Sequence, residues 1–200
     1  MYEPITEIID LKMVLKDMEP WIKDPRFLRV GRALTNFKLR PREVLSNWLI
    51  CAAANYHNGN DHVTFADHSA SNDGLIRDKT TGNYILTEHV FIPETKDRTT
   101  KTVEDFIIEA VEHKARKGVP YAQGKNLVIF SEAIGVWVPN RVGRKIAGKH
   151  NFDCVWSVSL AKTLQIEYVY NVVKFYEYHS PIWKVTINLD FTGWQVCRIQ

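Results

Sequence analysis

The sequence predicts a single α/β domain with a mixed sheet, and three observations lead to this fold class. The 200 residues are 45% hydrophobic and 24% charged, as in ordinary soluble globular domains, which excludes disordered, collagen-like and fibrous chains. A strand, helix, strand succession between residues 126 and 160 implies a parallel crossover covered on both faces. A hairpin pattern precedes it, and residues 165–200 predict a β-rich C-terminal meander.

Two helices are expected in the first third of the chain. Residues 5–23 suggest a loose amphipathic helix broken at Pro20. A firmer helix runs from Pro41 to Tyr56, because proline suits a first turn and Gly59 a helix end. Its apolar residues recur at the spacing of one buried stripe: Val44, Leu45, Trp48, Leu49, Ala52, Ala53 and Tyr56.

The middle of the chain predicts a hairpin followed by a crossover helix. Leu75 and Ile76 precede a turn with Gly82, and residues 84–92 form a β-branched and aromatic run. Thr102, with Asp105 three residues later, resembles a capping box at the start of a helix that ends near Gly118. Further along we expect strands at 126–130 and 152–160, a helix at 139–147, and terminal strands at 168–176, 183–189 and 194–199.

Charge, cysteines and hydropathy describe an intracellular chain without a membrane span. The net charge is +3, which permits nucleic-acid binding without indicating it. Three widely spaced cysteines in apolar surroundings favour buried thiols over disulfides. The first ten residues lack the basic start of a signal peptide, and no apolar run approaches about 18 residues, so we expect a cytoplasmic protein.

Two acids carry the chemical signal. Asp73 stands at the entry of the first hairpin strand and Glu88 lies within the second. A hairpin can place them side by side about 5 Å apart, where two carboxylates repel unless a cation lies between them. Mg²⁺, or Mn²⁺ in its place, meets that need, because it takes one or two carboxylates and leaves positions for water and phosphate.

These residues resemble the PD-(D/E)XK nuclease superfamily. The resemblance covers about residues 41–160, the expected core, and rests on D-G-L-I, a hairpin and a Glu in an apolar strand. It implies a restriction-endonuclease-like fold with a mixed central sheet flanked by helices, here with a β-rich C-terminal extension. It also implies that Asp73 and Glu88 bind the metal, that the His89 carbonyl adds a ligand, and that Glu43 could supply a third acid.

The sequence departs from the family pattern at two positions. Val90 stands where the family has its catalytic Lys, and Asn72 stands where it has Pro. Arg77 is the first substitute cation, because in an extended strand it shares the face of Asp73. Lys79, in the turn, and His89, expected on the face opposite Glu88, are the other candidates.

Each acid also has a structural interpretation. Asp73 before Gly74 could be a turn former that hydrogen-bonds its own backbone. Glu88 could form a salt bridge with a neighbouring Lys or Arg, or face solvent, although a carboxylate in so apolar a run needs a partner. Glu43, in a first helical turn, could complement the helix dipole.

A polar stretch before Asp73 offers a rival zinc site. It contains His57, Asp61, His62, Asp67 and His68. The histidine spacings of five and six match no zinc signature, and neither H-E-x-x-H nor C-x-x-C occurs, so a solvated loop is the preferred interpretation.

Basic clusters point to a polyanionic substrate. Arg141, Arg144, Lys145 and Lys149 follow helical spacing along one face. A second cluster comprises Lys114, Arg116, Lys117 and Lys125, and a third comprises Lys38, Arg40 and Arg42. Such residues contact phosphates without reading sequence, and solvated helix faces are the alternative.

The sequence therefore predicts a Mg²⁺-dependent endonuclease acting on DNA in preference to RNA. A homodimer would supply two sites for cutting both strands. The alternative is a catalytically inactive nuclease-like module that binds nucleic acid, and a third class is an assembly protein that uses only the fold.

Overall fold

A computed structural model describes residues 9–29, 31–66, 73–94, 101–164 and 167–200. These residues form six α-helices, one 3-10 helix and one eight-stranded sheet. The helices are α1 (Leu11–Asp17), α2 (Glu19–Lys23), a 3-10 helix (Pro25–Arg29), α3 (Pro41–Asn58), α4 (Val103–Ala115), α5 (Val119–Ala122) and α6 (Pro139–Ile146). The strands are β1 (Val63–Ala66), β2 (Leu75–Asp78), β3 (Tyr84–Ile92), β4 (Lys125–Ser131), β5 (Cys154–Leu164), β6 (Glu167–Lys174), β7 (Ile182–Ile187) and β8 (Trp194–Arg198).

The strands lie in the sheet in chain order, from β1 to β8. β1, β2 and β3 are antiparallel, β3, β4 and β5 are parallel, and β5 to β8 return to an antiparallel meander. The α/β class, the hairpin, the parallel crossover and the β-rich C-terminus are therefore confirmed. Within the described residues, no helix combines the length and the apolar character that crossing a bilayer requires.

The sheet curls around α3, because both of its edge strands contact that helix. α3 is consequently buried on nearly all sides, including its polar residues Glu43, Ser46 and Asn47. The prediction of one buried stripe was too narrow, and Tyr56 was wrongly included in it, since the last turn of α3 is exposed. Gly59 ends the helix with φ +65°, as its position after the apolar run predicted.

Two buried layers cover the sheet. On the side of α3, called here the α3 face, Val128 and Trp156 are core residues. On the other side, the α4 face, Leu127 and Val155 pack beneath α4 and α6. Because successive strand residues alternate between faces, the register of β3 with β4 assigns each residue of β3 to one layer.

The first helical region differs from the prediction. Its described part contains two short helices, and Pro20 lies in the first turn of α2 instead of interrupting a helix. The break falls at Met18, which ends α1 and starts α2. A first-turn proline loses no helical hydrogen bond, since its N–H would have no intrahelical partner.

Candidate active site

Asp73 and Glu88 lie opposite each other across the β2–β3 hairpin. Leu75 pairs with Leu86, and continuing this antiparallel register by two residues places Asp73 opposite Glu88. The main-chain N–H of His89 donates to Oδ2 of Asp73 at 2.7 Å. The two acids therefore belong to one site.

Glu88 belongs to the α4 face. It is next to Leu127 in the parallel register with β4, and Leu127 is buried beneath α4. The Lys114 ammonium, on the last turn of α4, lies 2.5 Å from Oε1 of Glu88, and both side chains are largely buried. Val90, two residues along β3, shares this face and packs against the same core.

The cation at Glu88 is thus supplied by a helix and not by the hairpin. Arg77 lies in β2 beside Gly82, close to the turn, and its buried Nε has no hydrogen-bond partner. Lys79 lies in the turn itself. Sequence reasoning grouped Lys114 only with the surface cations. The position of Lys114 in the sequence could have revealed its role. Lys114 lies at the end of the crossover helix, from which the chain returns to the start of β4 beside β3.

His89 faces the opposite side of the sheet from Glu88. Its Nε2 lies 3.2 Å from Oδ1 of Asn47 on α3, and its ring is buried. Burial lowers the pKa of His89 to about 3, and the charges of Arg42 and Lys114 add to this effect. Its imidazole is therefore neutral at physiological pH. Its carbonyl points to the same strand edge as its N–H, towards Asp73.

Asn47 connects α3 to the hairpin. Its Nδ2 donates to the main-chain carbonyl of Asp73 at 3.2 Å while its Oδ1 meets His89. Gly74, the residue after Asp73, has φ +117°, and a Cβ there would lie 2.7 Å from Nδ2 of Asn47. Only glycine permits this approach, so the D-G pair positions Asp73 and is not merely a solvent-exposed turn.

Glu43 lies in the first turn of α3 with both oxygens occupied. Oε2 accepts from the Arg40 N–H at 2.9 Å and Oε1 from the Arg40 guanidinium at 3.1 Å. Burial raises the pKa of Glu43, the main-chain N–H of Arg40 opposes this rise, and the charge of Asp73 adds to it. Glu43 therefore caps its helix beside the hairpin acids.

The three acids differ in their electrostatic compensation. Burial raises the pKa of Asp73; the N–H of His89 opposes this rise, and the charge of Glu88 adds to it. Burial alone would also raise the pKa of Glu88, but hydrogen bonds from Lys114 and Tyr121 outweigh it and the pKa is lowered. The charge of Asp73 is thus compensated less than that of Glu88, and an added cation would favour its ionised form.

The donor set suits a hard divalent cation. Asp73 and Glu88 offer carboxylate oxygens and His89 a carbonyl oxygen, the atoms that Mg²⁺ prefers. Among the described residues, no three His, Cys, Asp or Glu side chains group closely enough to hold a metal ion by themselves. Such a cation would therefore depend on two carboxylates, the main chain and water, as Mg²⁺ commonly does.

The proposed zinc cluster is not assembled in the described part of the chain. His57 lies in the last turn of α3 and packs against Trp183 at 5.8 Å between ring centroids. His62 is exposed beside Asp61, and β1 follows, where the sequence suggested an irregular loop. Asp67 and His68 lie outside the described residues, as does Asn72.

Part of the basic surface adjoins the acids. Lys117 and Lys125 lie over the ring of Tyr121, with Nζ 4.3 and 4.8 Å from its centroid. The hydroxyl of Tyr121 is 3.4 Å from Nζ of Lys114, so this group continues directly from Glu88. Of the α6 cluster, Arg141 pairs with Glu104 on α4, whereas Arg144, Lys145 and Lys149 are exposed.

Comparison of the chain with protein-family models, curated proteins and solved structures gives no match.

Proposed function

We propose that this chain is a metal-dependent endonuclease that hydrolyses phosphodiester bonds, with DNA as its substrate. The observation that carries the proposal is the placement of Asp73 opposite Glu88 with Lys114 in contact with Glu88. Two neighbouring acids with a cation beside them are groups that metal-assisted phosphodiester hydrolysis can use.

The order of elements supports the resemblance to the PD-(D/E)XK nucleases. A helix (α3), a hairpin-bearing part of the sheet (β1 to β3), a crossover helix (α4) and a parallel strand (β4) follow one another. That succession is the core that the resemblance implies. In this proposal Asp73 and Glu88 correspond to the metal-binding acids of that family.

Lys114 takes the role of the family Lys in this proposal. Val90 cannot supply a charge, but Lys114 reaches the same face from α4 and meets Glu88 directly. An ammonium there can donate to an attacking water or to a phosphate oxygen, which stabilises the charge that develops on phosphate. Tyr121 and Asn47 position Lys114 and Asp73 respectively.

A Mg²⁺ or Mn²⁺ ion held by Asp73, Glu88 and the His89 carbonyl would polarise the phosphodiester and lower the pKa of a bound water. The chain's own contribution is to hold both acids at one place, with the ammonium of Lys114 keeping Glu88 ionised. Lys125 and Lys117 would hold the flanking phosphates, and Arg144, Lys145 and Lys149 would extend the contact along the strand.

Cleavage of plasmid and linear DNA at several Mg²⁺ and Mn²⁺ concentrations tests the proposal. Asp73→Asn and Glu88→Gln should each abolish cleavage and leave DNA retention nearly intact. Asp61→Asn, an exposed acid after α3, is the matched control and should cut like the parent. Full cleavage by both site variants would reject the assignment.

A second candidate is a nuclease-like module that binds nucleic acid or assembles with other proteins without cutting. It is favoured by Val90 at the family Lys position and by the Glu88–Lys114 pair, which neutralises Glu88 without a metal. Retention of DNA with no product at any Mg²⁺ or Mn²⁺ concentration selects this module. If the chain neither binds nor cuts DNA, the result selects an assembly protein.

A further inference from the structure

The outer surface of β3 becomes more exposed between the acids and the hairpin turn. Tyr84, Leu86 and Glu88 lie on one face of the strand, because alternate strand residues share a face. Glu88 is buried, Leu86 is half-buried and Tyr84 is 56% exposed. α4 ends at Ala115, one residue after Lys114, and the α4 face of β3 is open to solvent beyond it, at Tyr84.

Two cations accompany Tyr84 and Leu86 on this face. Arg77 of β2 is the cross-strand partner of Tyr84, and Lys125 of β4 is the partner of Leu86. Paired residues of neighbouring strands project to the same side of a sheet. Arg77 is half-buried, and within the described part of the chain no carboxylate forms an ion pair with it. Its guanidinium charge is therefore available to a phosphate.

The exposed ring, the two cations and Glu88 form a continuous row. Two residues of a strand span about 7 Å, so Lys125 lies one such step from Glu88 along the sheet. Tyr84 and Arg77 lie two steps away, at about 13 Å. Proteins bind single-stranded nucleic acids with cationic grooves that follow the phosphates and aromatic rings on which bases stack. The row thus suits successive nucleotides of one strand.

We propose that Tyr84, Arg77 and Lys125, called here the hairpin platform, bind a single-stranded segment of the DNA substrate beside the bond that is cut. This inference rests on the proposed nuclease function and specifies its substrate class. A base stacks on the ring of Tyr84, while Arg77 and Lys125 contact the adjoining phosphates. A duplex keeps its bases stacked on one another and offers the ring no base face. The segment is either a free single strand or the unpaired tail of a duplex.

Fluorescence anisotropy of the full chain with labelled DNA tests the hairpin platform in EDTA, where metal-dependent cleavage does not occur. The probes are a single-stranded oligonucleotide, its blunt duplex, and that duplex with a single-stranded tail. The single strand should bind about tenfold more tightly than the blunt duplex, as one stacked base provides. Tyr84→Leu should lose about tenfold in single-strand affinity, whereas Tyr84→Phe keeps the ring and should bind like the parent.

Two further variants complete the set. Arg77→Gln should reduce the slope of log affinity against log salt for the single strand by about 0.7, the value for one phosphate contact. Tyr178→Leu is the matched control, because Tyr178 is 78% exposed in the connection between β6 and β7. Circular dichroism identifies any variant that fails to fold, and the other platform variant then decides.

The outcomes separate the possibilities. Equal affinity of the parent for the single strand and the blunt duplex overturns the hairpin platform, as does unchanged single-strand affinity in Tyr84→Leu. Tighter binding of the tailed duplex assigns the segment to a tail, and tighter binding of the oligonucleotide assigns it to a free strand. A preference for single strands without cleavage in Mg²⁺ rejects only the nuclease, whereas cleavage without that preference rejects only the platform.

Discussion

The ammonium of Lys114 lies 2.5 Å from Oε1 of Glu88 and joins the end of the crossover helix to the centre of β3. Among the described residues, the main-chain N–H of His89 donates to Oδ2 of Asp73 across the hairpin, and burial raises the pKa of Asp73. The neighbouring acids are therefore compensated unequally.

Neutralising the two acids should change stability in opposite directions at pH 7 without divalent ions. The raised pKa of Asp73 means that its ionised form is disfavoured in the fold, and the lowered pKa of Glu88 means that its ionised form is favoured. Asp73→Asn should raise the free energy of unfolding, and Glu88→Gln should lower it by about 2 kcal/mol, because Lys114 loses a charged partner. Urea titration measures both; equal losses would contradict this assignment.

Removing the Lys114 cation should impair cleavage much more than binding. A positioned proton donor contributes about 10²- to 10⁴-fold to rate, so Lys114→Met should lose at least about a hundredfold in single-turnover cleavage. Lys117→Met, three residues along on the exposed surface of the same helical end, should lose far less. Comparable losses in both variants would show that Lys114 serves only phosphate affinity.

Lysine at position 90 should partly replace Lys114. Val90 and Glu88 lie on one face of β3, about 7 Å apart along the strand, so a lysine there can reach the same acid. Val90→Lys in the Lys114→Met background should recover part of the lost cleavage, measured in the same assay. No recovery in a variant with parental circular dichroism would argue against a shared cation role.

Acid should destabilise the fold through His89. Its folded pKa of about 3 lies below its ordinary value of 6.5, so the unfolded chain binds the proton more readily. Stability is then lost as pH falls from about 6.5 towards 3, by at most about 1.4 kcal/mol per pH unit. Urea midpoints between pH 7 and 5 should decline less steeply in His89→Gln, and an unchanged slope would assign the acid sensitivity to other groups.

The basic surface should set the salt dependence of DNA binding. Lys125→Ala and Lys149→Ala should each reduce the slope of log affinity against log salt by about 1, with little change in sequence preference. Lys12→Ala, an exposed cation on α1, is the control. A slope unaffected by both substitutions would place the DNA elsewhere on the molecule.

Local patterns predicted most of the fold. The capping box of Thr102 and Asp105, the αL position of Gly59 and the β-branched run of β3 act within a few residues, and all are present. The curled sheet around α3 was not predictable, because it depends on contacts between the two edge strands and the helix between them. β1, only four residues long, carries too little periodicity to be recognised.

In the candidate site, too, features set by neighbouring residues were predictable and contacts set by tertiary packing were not. The β2–β3 hairpin is encoded locally by the turn at Gly82 and was predicted from the sequence, whereas the metal-binding role of Asp73 and Glu88 stays a prediction. Lys114 lies 26 residues after Glu88, and its contact depends on how α4 packs on the sheet. Arg77 was favoured as the cation because strand alternation puts it on the same face as Asp73. Alternation does not show how far along the strand Arg77 lies from the acids.

α3 is one unbroken helix of 18 residues, about 27 Å from end to end. Its first two turns carry Glu43 and Asn47 beside the hairpin acids, and its final turn carries His57, which packs against Trp183 of β7. The helix is therefore a rigid strut that joins the surroundings of the hairpin acids to the aromatic residues of β7. A shift of this strut along its axis would be transmitted to Asn47, and through Asn47 to the backbone of Asp73.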